Sequence, residues 1–100
     1  MEQNALQITG ILEKQYPARV SPAGVAHQDF LLQHRSRQRE AGSAREARLG
    51  LTVHCAGELV QQLQASQLGD RVLVTGFLAL ASYRDTEKVV LHAQTLDRQD

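Results

Sequence analysis

The sequence predicts a small all-β domain of five strands, with one short helix between the third and the fourth strand. Five segments alternate apolar and polar residues with the two-residue period of a strand. Two of these strands carry a glycine near the middle, and one intervening segment has the apolar spacing of a helix. The chain has 100 residues, 42% of them hydrophobic, and we expect one domain over residues 1–100 with short flexible ends.

The first predicted strand covers Ala5–Lys14 and contains Gly10, a residue that permits the sharp bend of a barrel corner. Pro17 and Pro22 exclude a helix in the segment that follows. Ser21–Gly24 has proline at its second position and glycine at its fourth, which predicts a type I turn.

The second predicted strand runs over about residues 27–38. Phe30 and Leu32 share one face of it, and polar residues share the other. A helix is the competing interpretation, because Arg35 and Arg39 are also spaced as neighbours on a helix. The alternation and the flanking turn signals favour the strand.

A hairpin connection at residues 40–44 leads into the third predicted strand, Arg45–Ala56. Cys55 has the apolar parity of this strand and is predicted to be a small buried hydrophobe. The next segment predicts a short helix that closes one end of the fold, with Gly69 as its stop. The apolar residues of this helix are Leu59, Val60 and Leu63.

Arg71–Ser82 is a strongly apolar fourth strand with Gly76 in its middle, and Lys88–Leu96 is the fifth strand after a loop at residues 83–87. Three strands, a helix and two more strands is the order of elements in the OB fold. That fold is a five-stranded, partly open Greek-key barrel, and it commonly binds oligonucleotides on its second and third strands.

Positive charge is concentrated in one segment although the formal net charge is zero. Between residues 35 and 48 there are five arginines and only two glutamates, whereas residues 49–100 hold four basic and six acidic residues. The five arginines are Arg35, Arg37, Arg39, Arg45 and Arg48. A basic patch on a neutral body can bind a polyanion, so the predicted fold and the charge indicate the same surface.

Other functional classes receive no support from the residues. The four histidines and the single cysteine match no zinc-binding spacing, so we interpret them as ordinary polar or core residues and expect no metal or other cofactor. The motifs of common catalytic sites are missing, and we expect no enzymatic activity. The lone cysteine and the lack of a signal-peptide pattern or a membrane-length apolar run predict a cytoplasmic protein without a membrane partner.

Three segments resemble the family of primosomal replication protein N, also called PriB. They are VSPAGVAHQDFLLQHRS at residues 20–36, GDRVLVTGFLA at residues 69–79 and VVLHAQ at residues 89–94. The resemblance implies a homodimeric OB-fold protein that binds single-stranded DNA without base specificity. It also implies a role in restarting stalled replication forks, in which the protein stimulates the primosomal helicase and acts with a helicase-loading primosome protein.

The resemblance also implies DNA-contact residues. Arg19 matches a basic residue before the serine–proline turn, Arg35 is the arginine of the HRS motif, and Arg45 matches a hairpin arginine. Lys88 matches a basic residue near the start of the fifth strand, and Arg84 takes the place of a lysine in the preceding loop.

The base-stacking part of the interface departs from the family. Some members carry an aromatic residue in the hairpin and a tryptophan at the start of the third strand, where this chain has Ser43 and Arg48. We expect the planar guanidinium of Arg48 to compensate in part, and Tyr83 is the best remaining stacking candidate. Phe30 is expected in the core, and Phe77 in the core or at an interface. The predicted DNA binding therefore depends on arginine and is weaker and salt-sensitive.

Alternatives stay open at two points. Arg37 and Arg39 share the parity of the HRS arginine and are expected to widen a phosphate-binding groove, but a solvated face that prevents edge pairing explains them equally well. For the whole chain, a protein–protein adaptor of the primosomal helicase with weak DNA affinity, or a single-stranded RNA binder, are the other functions. Apolar residues that could supply a dimer interface are Ile11, Leu73 and Leu80.

Overall fold

Two long antiparallel hairpins and one shared strand make up the structure, a computed structural model that describes every residue from Met1 to Asp100. The strands are β1 (Leu6–Gln15), β2 (Arg19–Val20), β3 (Ala26–Glu40), β4 (Ser43–Ala56), β5 (Arg71–Ser82) and β6 (Asp85–Gln99), and the helix is α1 (Glu58–Gln64). β3 and β4 form one hairpin, and β5 and β6 form the other.

β1 joins the two hairpins into a barrel. Its residues 6–11 pair antiparallel with β5, and residues 11–15 pair antiparallel with β3. A short parallel pairing of β4 with β6 closes the opposite side. The closed order β1-β5-β6-β4-β3 confirms the predicted five-stranded OB barrel, and the two-residue β2 is added at the edge of β3.

Gly10 and Gly76 lie where the barrel bends, as predicted. β1 changes partner beside Gly10, where an added Cβ atom would collide with Leu32 and with the backbone of Gln33. The register of β5 against β6 shifts at Gly76, where a Cβ atom would overlap the carbonyl oxygen of His92. Only glycine fits these close backbone approaches.

The core is built from the inward-facing side chains of the strands. Phe30 and Cys55 are completely buried, as predicted. Burial raises the pKa of the Cys55 thiol to about 12, with a smaller contribution from the Asp29 carboxylate, so this cysteine stays protonated. Val60 and Leu63 of α1 belong to the same core cluster, which confirms that the helix covers one end of the barrel.

The helix is shorter than predicted, because it ends at Gln64 and not near Gly69. The chain turns back towards β1 after Gln64, and the Gly69 N–H donates a hydrogen bond to the Leu12 carbonyl. Gly69 has a φ of 93°, a backbone conformation that favours glycine, and it lies within this turn. No helix of the structure is long or apolar enough to span a lipid bilayer.

The β3–β4 hairpin extends well beyond the barrel. Its strands stay paired up to Glu40 and Ser43, so the connection is only Ala41 and Gly42. Both residues have positive φ, 50° and 81°, which is the geometry of a type I′ turn. The predicted hairpin is thus confirmed, with a shorter turn and longer strands than the alternation indicates.

The predicted loop at residues 83–87 is wrong. Ser82 pairs with Asp85, so Tyr83 and Arg84 alone connect β5 to β6. The polar residues that follow continue an antiparallel ladder at an exposed hairpin end, where they need no buried face. The two projecting hairpins contribute to an elongated shape of 50 × 34 × 24 Å.

Candidate nucleic-acid interface

The outer face of the β3–β4 hairpin carries a strip of mostly polar residues, which we call the outer strip. Residues opposite each other in an antiparallel ladder project to the same side. The outer strip consists of the cross-strand pairs Asp29–His54, Leu31–Thr52, Gln33–Gly50, Arg35–Arg48 and Arg37–Glu46. The intervening residues Phe30, Leu32 and Val53 are completely buried, so the strip faces away from the core.

Three of the predicted DNA-contact residues, Arg35, Arg37 and Arg48, lie on this strip. Arg39, opposite Ala44, continues its parity towards the hairpin end. Arg35 is ion-paired with Glu46. The hydrogen bond and the charge of Arg35 lower the pKa of the Glu46 carboxyl, so the pair is ionised at neutral pH. Arg39 donates a hydrogen bond of 2.7 Å to the Gly42 carbonyl oxygen. Arg37 and Arg48 have no carboxylate within ion-pair distance.

Arg45 lies opposite Gln38 and therefore has the other strand parity. Its guanidinium is ion-paired with Glu40 at 3.2 Å. A surface groove of about 680 Å³ nevertheless joins it to the strip, since Arg35, Arg37 and Arg45 all line this groove. The hairpin thus brings all five of its arginines into one region, two of them in ion pairs with glutamate.

The remaining predicted contacts lie away from the hairpin arginines. Arg19 pairs with His27 at the start of β3, the end of the strand opposite to Arg39. Tyr83 is 80% exposed at the tip of the β5–β6 hairpin, and the Arg84 guanidinium lies 5.6 Å from the centroid of its ring. Lys88 is exposed near the start of β6, close to the turn that connects β5 to β6.

Four aromatic rings cross the barrel end of the outer strip in one row, which we call the ring row. It runs from Phe77 on β5 through His92 on β6 and His54 on β4 to His27 on β3. Successive ring centroids are 5.1, 5.2 and 5.2 Å apart, separations typical of favourable aromatic pairs. Phe77, expected in the core or at an interface, is 37% exposed and stacks on His92.

The histidines of the ring row differ in their hydrogen bonding. His54 Nδ1 lies 2.6 Å from Asp29 Oδ1, and His54 Nε2 lies 3.1 Å from His27 Nδ1. His92 Nε2 is buried and has no hydrogen-bond partner. Burial, together with the neighbouring His54, lowers the pKa of His92 against the opposing effect of Asp29, so this ring is neutral at pH 7.

A cleft of about 260 Å³ lies beside the ring row. The three histidines line it together with Ala81 and Val90 of the β5–β6 hairpin. Arg19 and Asp29 complete its lining. The cleft thus meets the outer strip and one of the predicted DNA-contact residues. No group of three or more His, Cys, Asp or Glu side chains in the structure could hold a metal ion.

The ring row was not expected from the sequence. His27 and His54 share the strand parities of Arg35 and Arg48, and this signal alone could have placed them on the same face. The approach of His92 to His54 depends on the parallel pairing of β4 with β6. No local sequence pattern encodes that long-range contact.

Comparisons with known proteins fit this geometry. Residues 4–95 match a family model described as another single-strand binding protein family. Replication restart protein PriB of Photorhabdus laumondii is 39% identical over 102 residues, which cover 100% of this chain and 97% of the relative. Replication restart protein PriB of Proteus mirabilis is 34% identical with the same coverage.

Solved structures show the same architecture. PriB from Ralstonia solanacearum superposes with a TM-score of 0.87 at 27% identity, covering 99% of this chain and 100% of that one. The single-stranded DNA binding protein from Thermus aquaticus shares the fold, with a TM-score of 0.77 at 24% identity over 98% of this chain and 50% of that one. This chain therefore belongs to the replication restart protein PriB family.

Proposed function

We propose that this chain binds single-stranded DNA without sequence preference and takes part in replication restart. The arginines of the outer strip are the observation that carries the proposal. Arg35 and Arg48 lie directly opposite each other with Arg37 beside them, on the two strands that OB folds use for oligonucleotides. Guanidinium groups bind phosphate through a planar fork of donors, so such a surface can follow a DNA backbone.

The remaining predicted contacts would extend this surface. Arg39 and Arg45 widen it at the hairpin groove, and Arg19, Tyr83, Arg84 and Lys88 add charge and one exposed ring elsewhere. The ion pair between Arg35 and Glu46 means that a phosphate must displace or share a carboxylate. Because exposed ion pairs contribute little to stability, a phosphate can replace the carboxylate readily, and the competition between them keeps the affinity moderate.

The test is a salt titration of binding between the protein and a fluorescein-labelled oligo-dT strand. With about five phosphates contacted, log K should fall against log salt with a slope of roughly −3.5. Arg35→Ala should bind several-fold more weakly and reduce the slope by about 0.7. Arg98→Ala is the matched control, because Arg98 is exposed on β6 and pairs only loosely with Asp70, at 3.9 Å. A flat salt dependence, or equal losses in both variants, would contradict the proposal.

The proposal includes the primosome: the chain acts without catalysis, as one domain that stimulates the primosomal helicase and acts with a helicase-loading primosome protein. The apolar residues of the β5–β6 hairpin support protein contacts of this kind. Leu78, Leu80 and Val89 of this hairpin are 37%, 39% and 44% exposed. The adaptor function is favoured by this same patch, since exposed apolar clusters mark interaction sites.

As the alternative occupant of this patch we propose a second copy of this chain, so that the patch forms part of a homodimer interface. Leu78 and Leu80 continue the inward-facing parity of β5 beyond the core, and Leu80 lies opposite Val89. Analytical ultracentrifugation of Leu80→Glu should show loss of the dimer, whereas Leu68→Glu, an exposed apolar residue near α1, should leave the mass unchanged. Equal masses for the parent and Leu80→Glu would remove this patch from the interface.

A further inference from the structure

The ring row combines features that packing alone does not explain. Three of its four rings are histidines, which are polar, yet they stack on a half-buried sheet face next to a cleft. The His54 side chain is only 16% exposed. A buried polar atom normally has a hydrogen-bond partner, so the unpaired His92 Nε2 requires an explanation.

The cleft has the lining that a flat aromatic ligand needs. Aromatic rings of β3, β4 and β6 line it together with the small aliphatic side chains of Ala81 and Val90. Proteins that hold a single nucleobase commonly place it between aromatic and apolar side chains and bind its edge with hydrogen bonds. The Asp29 carboxylate, which lines the cleft, is available to hydrogen-bond such an edge.

The position of the cleft connects it to the DNA surface. Asp29 and His54 are a cross-strand pair of the same outer strip that carries Arg35 and Arg48. Arg19, exposed on β2, lines the cleft, so its guanidinium is available to a phosphate next to a base in the cleft. A strand that follows the arginines along the strip would therefore reach the cleft.

We propose that this cleft is a base-binding pocket, in which one nucleobase of a bound single strand packs against the ring row and Arg19 contacts the neighbouring phosphate. The pocket supplies base contacts at a site formed by histidines, in place of the aromatic residues absent at Ser43 and Arg48. Any base has a π-face, so the pocket fits binding without sequence preference. This inference rests on the proposed function.

The experiment compares two labelled oligonucleotides of equal length, oligo-dT and a strand of abasic residues, which carry the same phosphates. His54→Val removes the central ring while keeping a side chain suited to a strand. We expect it to weaken oligo-dT binding at least five-fold, the lower end of what one stacked base contributes, and to change abasic binding less than two-fold. Thr95→Val, at an exposed position of β6 outside both the outer strip and the cleft lining, should change neither.

His54→Val also removes the Asp29–His54 hydrogen bond, so a second variant is needed that keeps this contact. Ala81→Leu fills the cleft from an exposed strand position and leaves every ring in place. It should reproduce the selective loss of oligo-dT binding, with an unchanged circular dichroism spectrum. Equal weakening of both oligonucleotides by the two variants, or no weakening, would overturn the pocket. If the parent binds neither strand at low salt, the proposed function itself fails, and the pocket with it.

Discussion

The two ends of the outer strip are built in different ways. At the hairpin end, Arg35 has a 68% exposed side chain on the part of β3 and β4 where these strands pair only with each other. At the barrel end, His54 is 16% exposed in a row of rings that spans four strands. The hairpin end offers charges that can move to meet phosphates, whereas the barrel end offers a fixed shape. One surface thus contains an adaptable electrostatic half and a rigid packed half.

The largest expected effect tests the rigidity of the barrel end. Gly76→Ala places a methyl group against the carbonyl of His92, and we expect a loss of about 3 kcal/mol in the free energy of unfolding, measured with urea. Gly50→Ala is the control, because its Cβ would meet only side-chain atoms that can move, the Gln33 amide at 3.2 Å and Leu31 Cδ1 at 3.4 Å. The control should change stability by less than about 0.5 kcal/mol. Similar losses in both variants would show that the two ends are equally deformable.

The next effect concerns the charges of the hairpin end. Glu46→Gln frees Arg35 from its ion pair and removes a negative charge from the strip. Binding of oligo-dT at low salt should strengthen about two- to five-fold, and the gain should shrink as salt screens the charges. Glu58→Gln on α1 removes the same charge away from the strip and should have little effect. Unchanged affinity in Glu46→Gln would mean that the Arg35–Glu46 pair does not compete with DNA.

A smaller effect concerns the turn that sets the hairpin register. Ala41 has a φ of 50°, which is costly for alanine and easily adopted by asparagine. Ala41→Asn creates the Asn-Gly sequence that favours a type I′ turn, so we expect a gain of about 0.5–1 kcal/mol in urea unfolding. Ser43→Asn, at a neighbouring residue without positive φ, should give no gain. Destabilisation by Ala41→Asn would contradict the assigned turn geometry.

The smallest expected effect is a pH dependence of stability at the barrel end. The pKa of His92 is lowered in the folded chain by burial and by His54 on β4, while Asp29 on β3 opposes the shift. Protons therefore bind the unfolded chain more readily, and stability should decline as the pH falls below about 6.5. His92→Gln, neutral at every pH, should lose less stability than the parent between pH 7.5 and 5.5. A steeper decline in the variant would contradict the assignment that folding lowers the pKa of His92.

The lowered pKa of Glu46 affects the stability of the fold in a separate, more acidic pH window. That carboxylate stabilises the fold above its ordinary pKa of 4.5, and its contribution is lost as the pH falls through the lowered value. The stability of the fold should thus decline first in the window of His92 and then in the more acidic window of Glu46. Glu46→Gln should alter only the more acidic part of the curve.

The fold could be predicted because its signals are local. Alternation placed the strands, the glycines at positions 10 and 76 marked the bends, and the apolar spacing of α1 placed the helix over the barrel end. The length of the β5–β6 hairpin was underestimated, because the exposed residues 83–87 show no alternation of apolar and polar side chains. The end of α1 was misplaced because the return of the chain to β1 after Gln64 depends on a long-range hydrogen bond.

The candidate site could be predicted only in part. Arginine parity placed the charges on one strip, but the ion pairs of Arg35 and Arg45 with glutamates depend on the cross-strand register. The ring row needed the parallel contact between His54 and His92, which joins residues far apart in the chain. Spacing rules for metal sites gave no indication of stacked histidines, since such stacking has no fixed spacing.

The shared strand β1 has a consequence for how the chain folds. Each hairpin pairs residues close in sequence, so both can form early and independently. β1 must then find β5, with partners such as Leu6 and Gly76 separated by most of the chain, while also pairing with β3. Because distant contacts are slow to form, we expect barrel closure by β1 to limit the folding rate. Substitutions in β1 should therefore slow folding more than substitutions at the hairpin tips.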